Sequence, residues 1–169
     1  MKQLSAFQFP EVYKWLGINL SDLGCIMLDI EPLESMSVRE WAVEMPPFYY
    51  AKNKERFWID GWVADKTPHI TLRYGLLQKG KNFEPHIQKV LEDWKLDEIE
   101  IEDIGYFDSP YPDEDYFCIV AHIKITPELL EGHGRLGFLP NLNTFAGYKP
   151  HLTICYIIKD EEIRDWWIS

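Results

Sequence analysis

Two short stretches of this chain carry histidine and threonine at the same spacing: Pro68-His-Ile-Thr-Leu-Arg-Tyr74 and Pro150-His-Leu-Thr-Ile-Cys-Tyr156. Phosphodiester cleavage needs a base to take a proton from the attacking oxygen and an acid to protonate the leaving one. Histidine suits both roles, because its unperturbed pKa lies near neutrality. Two histidines facing each other across a phosphate can therefore divide the work, one neutral and one protonated. A threonine two residues further along a strand points into the same space and can donate its hydroxyl to a non-bridging oxygen. His69, Thr71, His151 and Thr153 thus make up a base, an acid and two oxyanion donors. One His-x-Thr alone is a weak signal, more often a satisfied structural histidine. The matched pair with shared proline and tyrosine is far less accidental.

The chemistry requires strands. Each heptapeptide alternates β-branched and aromatic residues and opens on a proline, where a missing N–H is tolerated. Period two puts His69, Thr71 and Arg73 on one face, with Ile70, Leu72 and Tyr74 on the other. The second copy sets His151, Thr153 and Cys155 against Leu152, Ile154 and Tyr156. Arg73 lies on the motif face as a candidate phosphate partner, the alternative being an edge salt bridge. Tyr74 and Tyr156 fall on the packing face, although a bulge after the motif would turn them towards substrate.

Further strands are expected over Gly24–Ile30, Arg56–Ala64, Ile99–Phe107 and Asp115–Ile125, where His122 shares a face with Tyr116, Cys118 and Val120. His122 is a candidate for lining the site; His86 and His133 read as surface or capping residues. Helices are expected over Glu84–Trp94, from the Thr126 N-cap and Pro127 to about Leu136, and, less clearly, over Pro10–Leu16 and Glu161–Trp167. Glu31–Asn53 reads as a long loop with one helical turn around Val38–Val43. The order fits an α+β domain spanning residues 1–169, with small antiparallel sheets and outer helices. No Gly-rich strand-to-helix turn supports a Rossmann or P-loop reading.

Composition narrows the ligand. The 169 residues carry 28 acids against 17 bases, a net charge of −11. Long nucleic acid is held mainly by lysine and arginine on its phosphates, so a small diffusible anion is the better partner. Cys25, Cys118 and Cys155 lie far apart, which suggests free thiols in a reducing, cytoplasmic setting rather than disulfides or zinc. No apolar run reaches the roughly 20 residues of a membrane span, and the first residues lack a signal peptide's apolar core. No HExxH or clustered Cys/His set accompanies the two histidines, so neither metal nor cofactor is expected.

With those residues in place, the chain resembles the two-histidine (2H) phosphoesterase superfamily, whose H-x-[ST]-hydrophobic motifs are met by His69-Ile-Thr71-Leu and His151-Leu-Thr153-Ile. The resemblance implies the LigT-like fold, two pseudo-symmetric lobes of antiparallel sheet with outer helices and a central cleft. Within the superfamily the chain is most similar to the phage anti-CBASS phosphodiesterases. That likeness rests on Gly-Cys-Ile-Met-Leu-Asp-Ile-Glu from Gly24, the Pro68 block through Gly75, and Tyr148-Lys-Pro-His-Leu-Thr. It implies degradation of cyclic di- and trinucleotide alarms, by attack of a ribose 2′-hydroxyl on the adjacent 3′–5′ phosphodiester. An RNA 2′,3′-cyclic or 2′–5′ phosphodiesterase is the alternative, and a non-catalytic nucleotide sponge a third. The aromatic residues Trp41, Phe48, Tyr49, Tyr50, Phe57, Trp58 and Trp62 flank the first motif, and aromatic faces stack bases for about 1–3 kcal/mol each. Most are expected to pack the core; Trp62 joins Arg73, Tyr74, Tyr156 and His122 as a candidate substrate-binding residue.

Overall fold

The computed structural model describes residues 23–30, 38, 40, 41, 68–77, 82–108, 115–142 and 147–169. Strand Arg56–Ala64, helix Pro10–Leu16, Trp62 and the other aromatics from Phe48 to Trp58 lie outside the described residues. The elements are β1 (Gly24–Asp29), β2 (His69–Leu76), α1 (Glu84–Val90), β3 (Ile101–Asp108), β4 (Tyr116–Ile123), α2 (Pro127–Leu136), β5 (His151–Ile158) and α3 (Glu161–Ile168). The protein is α+β. The described strands form one five-stranded sheet in the order β1-β2-β5-β4-β3, in place of the two small sheets that the sequence predicts. The reason is that the two motif strands pair with each other, antiparallel, with Ile70 opposite Leu152.

The chain divides into two compact units. The first comprises Met1–Leu28, Thr71–Ile99 and Ile125–Pro150; the second comprises Asp29–Ile70, Glu100–Lys124 and His151–Ser169.

The second unit is built on β3, β4 and β5, paired antiparallel. Phe117, Ile119, Ala121 and Ile123 of β4 alternate on one face and are buried with Leu152, Ile154, Cys155 and Ile157 of β5. Burying an aliphatic side chain of this size contributes about 1.5–3 kcal/mol. Helix α3 covers that face: Trp167 is buried, and the Arg164 guanidinium lies 4.8 Å from the Tyr106 ring centre and 5.3 Å from that of Phe117. Asp160 starts the helix, its carboxylate accepting from the N–H groups of Glu162 and Ile163.

The first unit holds β1, the remainder of β2, α1 and α2. Thr126 caps α2 by accepting from Leu129 N at 3.2 Å, with Pro127 in the first turn. Helix α1 stops at Val90, short of the expected Trp94. The chain turns there, and the Trp94 indole donates to Glu128 O at 2.8 Å, an arrangement that a continuing helix would not provide. Arg135 holds the same junction, donating to Val90 O at 3.1 Å and pairing with Asp93. In β2, Gly75 has φ +92, and an added Cβ would run into the Leu142 carbonyl oxygen. Only glycine accepts that conformation and that approach together. The tight fit lets Leu142 N donate to Gly75 O at 2.7 Å.

Candidate active site

On the polar face of the second unit, register decides which side chains meet. Ile70 opposite Leu152 puts His69 across from Thr153 by antiparallel pairing. On the other side of β5, His151 faces His122 and Thr153 faces Val120. Cross-strand partners point to the same side of a sheet. His69, His151, Thr153 and His122 therefore share one face of this unit, opposite the buried row.

β5 changes phase in the middle of the motif. Thr153 pairs with Val120 and Cys155 with Ile119, so Ile154 is an extra residue, a β-bulge. Beyond it Tyr156 pairs with Cys118, on the face of His151 and Thr153. Two expectations from simple alternation are thereby corrected. Tyr156 belongs to the motif face, where it meets Tyr116 edge-on at 5.3 Å between ring centres. Cys155 turns inward and is fully buried. The thiol on the motif face is that of Cys118, whose Sγ lies 3.9 Å from Thr153 Oγ1.

β3 adds residues that the motifs do not reveal. Asp103, Gly105 and Phe107 pair with His122, Val120 and Cys118 and so line the same face. The Phe107 ring sits edge-on to His151 at 4.9 Å and 5.7 Å from His122. His122 Nδ1 is 2.5 Å from Asp103 Oδ1. A Cβ on Gly105 would come within 2.5 Å of the His122 ring, so glycine there makes room for the imidazole. The signal in the sequence was weak: Asp, Gly and Phe at alternate positions of an expected strand, with no motif around them.

In the first unit, β2 continues from Thr71. Cys25 Sγ donates to Thr71 Oγ1 at 3.8 Å, so each motif threonine has a thiol neighbour within its own unit. Burial pushes the Cys25 thiol above its usual pKa, outweighing the Thr71 hydrogen bond, and burial does the same more strongly at Cys155. Neither is a thiolate nucleophile at neutral pH.

Arg73 is engaged by its own unit. Its Nη1 lies 2.8 Å from His133 Nε2, and Nη2 donates to Asn141 Oδ1 at 2.6 Å. Its Nε is buried with no hydrogen-bond partner among the described residues. His133, expected at the surface, is half-buried and stacks on Tyr148 at 3.9 Å. Its Nδ1 is 2.7 Å from Leu72 O. A carbonyl can only accept and a guanidinium can only donate, so His133 carries its proton on Nδ1 and is neutral. Burial, opposed by the Leu72 hydrogen bond, holds its pKa below the ordinary histidine value, and the Arg73 charge acts in the same direction as burial. Tyr148 in turn donates to Thr71 O at 3.2 Å, its phenol pushed up to about 12 by burial. Tyr74 alternates with buried Ile70 and Leu72 and is itself half-buried. Arg73 thus ties His133 and Asn141 to β2, and His133 and Tyr148 hold the backbone carbonyls of Leu72 and Thr71.

Among the described residues no group of three or more His, Cys, Asp and Glu side chains is arranged to hold a metal ion. Nor is any described helix long and apolar enough to cross a membrane. Compared with models of known protein families and with curated proteins, the chain matches none.

Proposed function

We propose that this chain is a metal-independent phosphodiesterase of the two-histidine type, cleaving 3′–5′ bonds of cyclic di- and trinucleotide second messengers. His69 and His151 divide the roles of general base and general acid between them, and Thr71 and Thr153 are the hydroxyl donors that the motif chemistry calls for. A ribose 2′-hydroxyl attacks the adjacent phosphorus, the 5′-oxygen leaves with a proton, and a linear product with a 2′,3′-cyclic phosphate results. In a bacterium infected by a phage, such an activity in the cytoplasm would remove the signal that triggers antiviral defence.

The observation that carries the reading is the pairing of the two motif centres, Ile70 with Leu152. It makes the two histidines diagonal neighbours on one face, at a Cα separation of about 7–8 Å in regular sheet. That is room for a phosphate between two imidazoles. The net charge of −11 favours a small ligand over long RNA, Phe107 offers aromatic surface beside His122 and His151, and Tyr156 offers more further along the same face of β5. The test is a panel of cyclic di- and trinucleotides and 2′,3′-cyclic mononucleotides, incubated in excess EDTA, with products identified by mass spectrometry. Recovery of every substrate intact would refute the reading. Turnover of only the 2′,3′-cyclic mononucleotides would move the assignment to RNA end processing.

A further inference from the structure

The pairing of the motif centres treats His69 and His151 alike, but the surroundings in the second unit do not. His151 has a third imidazole directly across from it on β4, His122. Three features set that ring in place. Asp103 holds Nδ1 at 2.5 Å, Gly105 leaves the space that the ring occupies, and Phe107 borders both histidines, 5.7 Å from His122 and 4.9 Å from His151. The His122 side chain is 31 % exposed, so it is open to a ligand while its ring is fixed. Carboxylate–imidazole pairs of this kind orient the ring: with the Nδ1 proton directed at Asp103, Nε2 is left to hydrogen-bond a ligand hydroxyl, which can both donate and accept.

We propose that Asp103 and His122 form a substrate-binding subsite flanking His151, in which His122 Nε2 makes a hydrogen bond with a ribose 2′-hydroxyl of the nucleotide ligand. The proposal rests on the phosphodiesterase reading for the identity of the ligand. It assigns a direction to the site: among the described residues this Asp–His pair lies on the His151 side. It also gives the protein a means of telling ribonucleotide from deoxyribonucleotide apart from the chemistry of the 2′-hydroxyl nucleophile.

The experiment is a double cycle of binding, read by calorimetry on a His69→Ala background so that the ligand survives. The probes are 3′–5′ cyclic di-adenylate and its 2′-deoxy analogue. Each is titrated into His69→Ala and into His69→Ala combined with His122→Ala, with folding checked by circular dichroism. The subsite predicts about a tenfold loss of affinity for the ribose ring on removing His122, the size of one hydrogen bond, and no loss for the deoxy ring. Asp103→Ala, which keeps the imidazole and frees it, should lose affinity in the same selective way but by less. An equal loss for both rings would show a merely structural role and overturn the proposal, as would no loss, or no binding of either ring. Wild-type turnover of the ribose ring is followed in parallel. Selective coupling without turnover would leave the subsite standing and remove the proposed chemistry; turnover without coupling would do the reverse.

Discussion

His122 and His151 occupy one rung of the β4–β5 ladder, with the edge of Phe107 set against His151 and its ring beside His122. Phe107 thereby borders both imidazoles on the polar face of the second unit, tilted to one and nearly perpendicular to the other. The opposite face of the same strands is a dry aliphatic layer under α3. The strand pairings thus put rigid backbone beneath the groups that would do chemistry, and rigidity is what acid–base catalysis at a phosphate requires.

The motif histidines bear the heaviest expectation. Replacing either His69 or His151 with alanine should lower kcat by about 10²–10⁴-fold, the usual contribution of a positioned acid or base. Ligand binding should survive in part. Full activity in either variant, measured by product formation in excess EDTA, would contradict the assignment.

Tyr156 is turned to the motif face by the bulge at Ile154. If its ring stacks on a base, Tyr156→Ala should cost about 1–3 kcal/mol of binding free energy. Titration with a cyclic dinucleotide reads this directly, and unchanged affinity would return Tyr156 to a packing role. Tyr74→Ala, on the packing side of β2, should instead lower the melting temperature.

Two glycines should respond to alanine with opposite signs. At Gly105 an added methyl meets the His122 ring, so Gly105→Ala should destabilise by about 1–3 kcal/mol through overpacking and displace the imidazole from Asp103. At Gly134, in exposed helix, nothing lies within 4 Å. Gly134→Ala should therefore stabilise by about 0.5–1 kcal/mol. Urea unfolding of the two variants side by side checks both signs.

His133 makes stability depend on pH. Its folded pKa is lowered, mainly by burial, so the unfolded chain takes up the proton first. Stability from this group is present above about pH 6.5, the unfolded value, and is lost as pH falls through the folded value. Unfolding midpoints should drop between pH 7 and pH 5.5, and His133→Gln should flatten that slope. An identical slope in the variant would show that other groups cause it.

The motifs, their strands and the α2 cap were legible because they are written in local spacing: period two, a proline at each strand start, Thr-Pro before a helix. What lay beyond reach was set by register. Nothing around Thr153-Ile-Cys-Tyr156 marks a bulge, since β-branched and aromatic residues read as continuous strand, and no glycine or proline interrupts them. Asp103, Gly105 and Phe107 become neighbours of the histidines only because β3 lies beside β4, and no short-range pattern encodes that. The half-burial of His133 escapes the sequence for a similar reason. Its partners Arg73, Leu72 and Tyr148 are distant in sequence, and burial follows from them rather than from the helix around it.

The extra residue at Ile154 also gives the second motif strand a polarity that its twin copy does not spell out. The two heptapeptides align without a gap, so the difference lies not in their length but in how β5 pairs with β4, and it leaves His151 and Thr153 in place. Past that point the strand shows a phenol where a thiol would have stood. A ligand lying along β5 meets imidazole, hydroxyl and aromatic ring in a fixed succession, so its two ends are no longer equivalent to the protein.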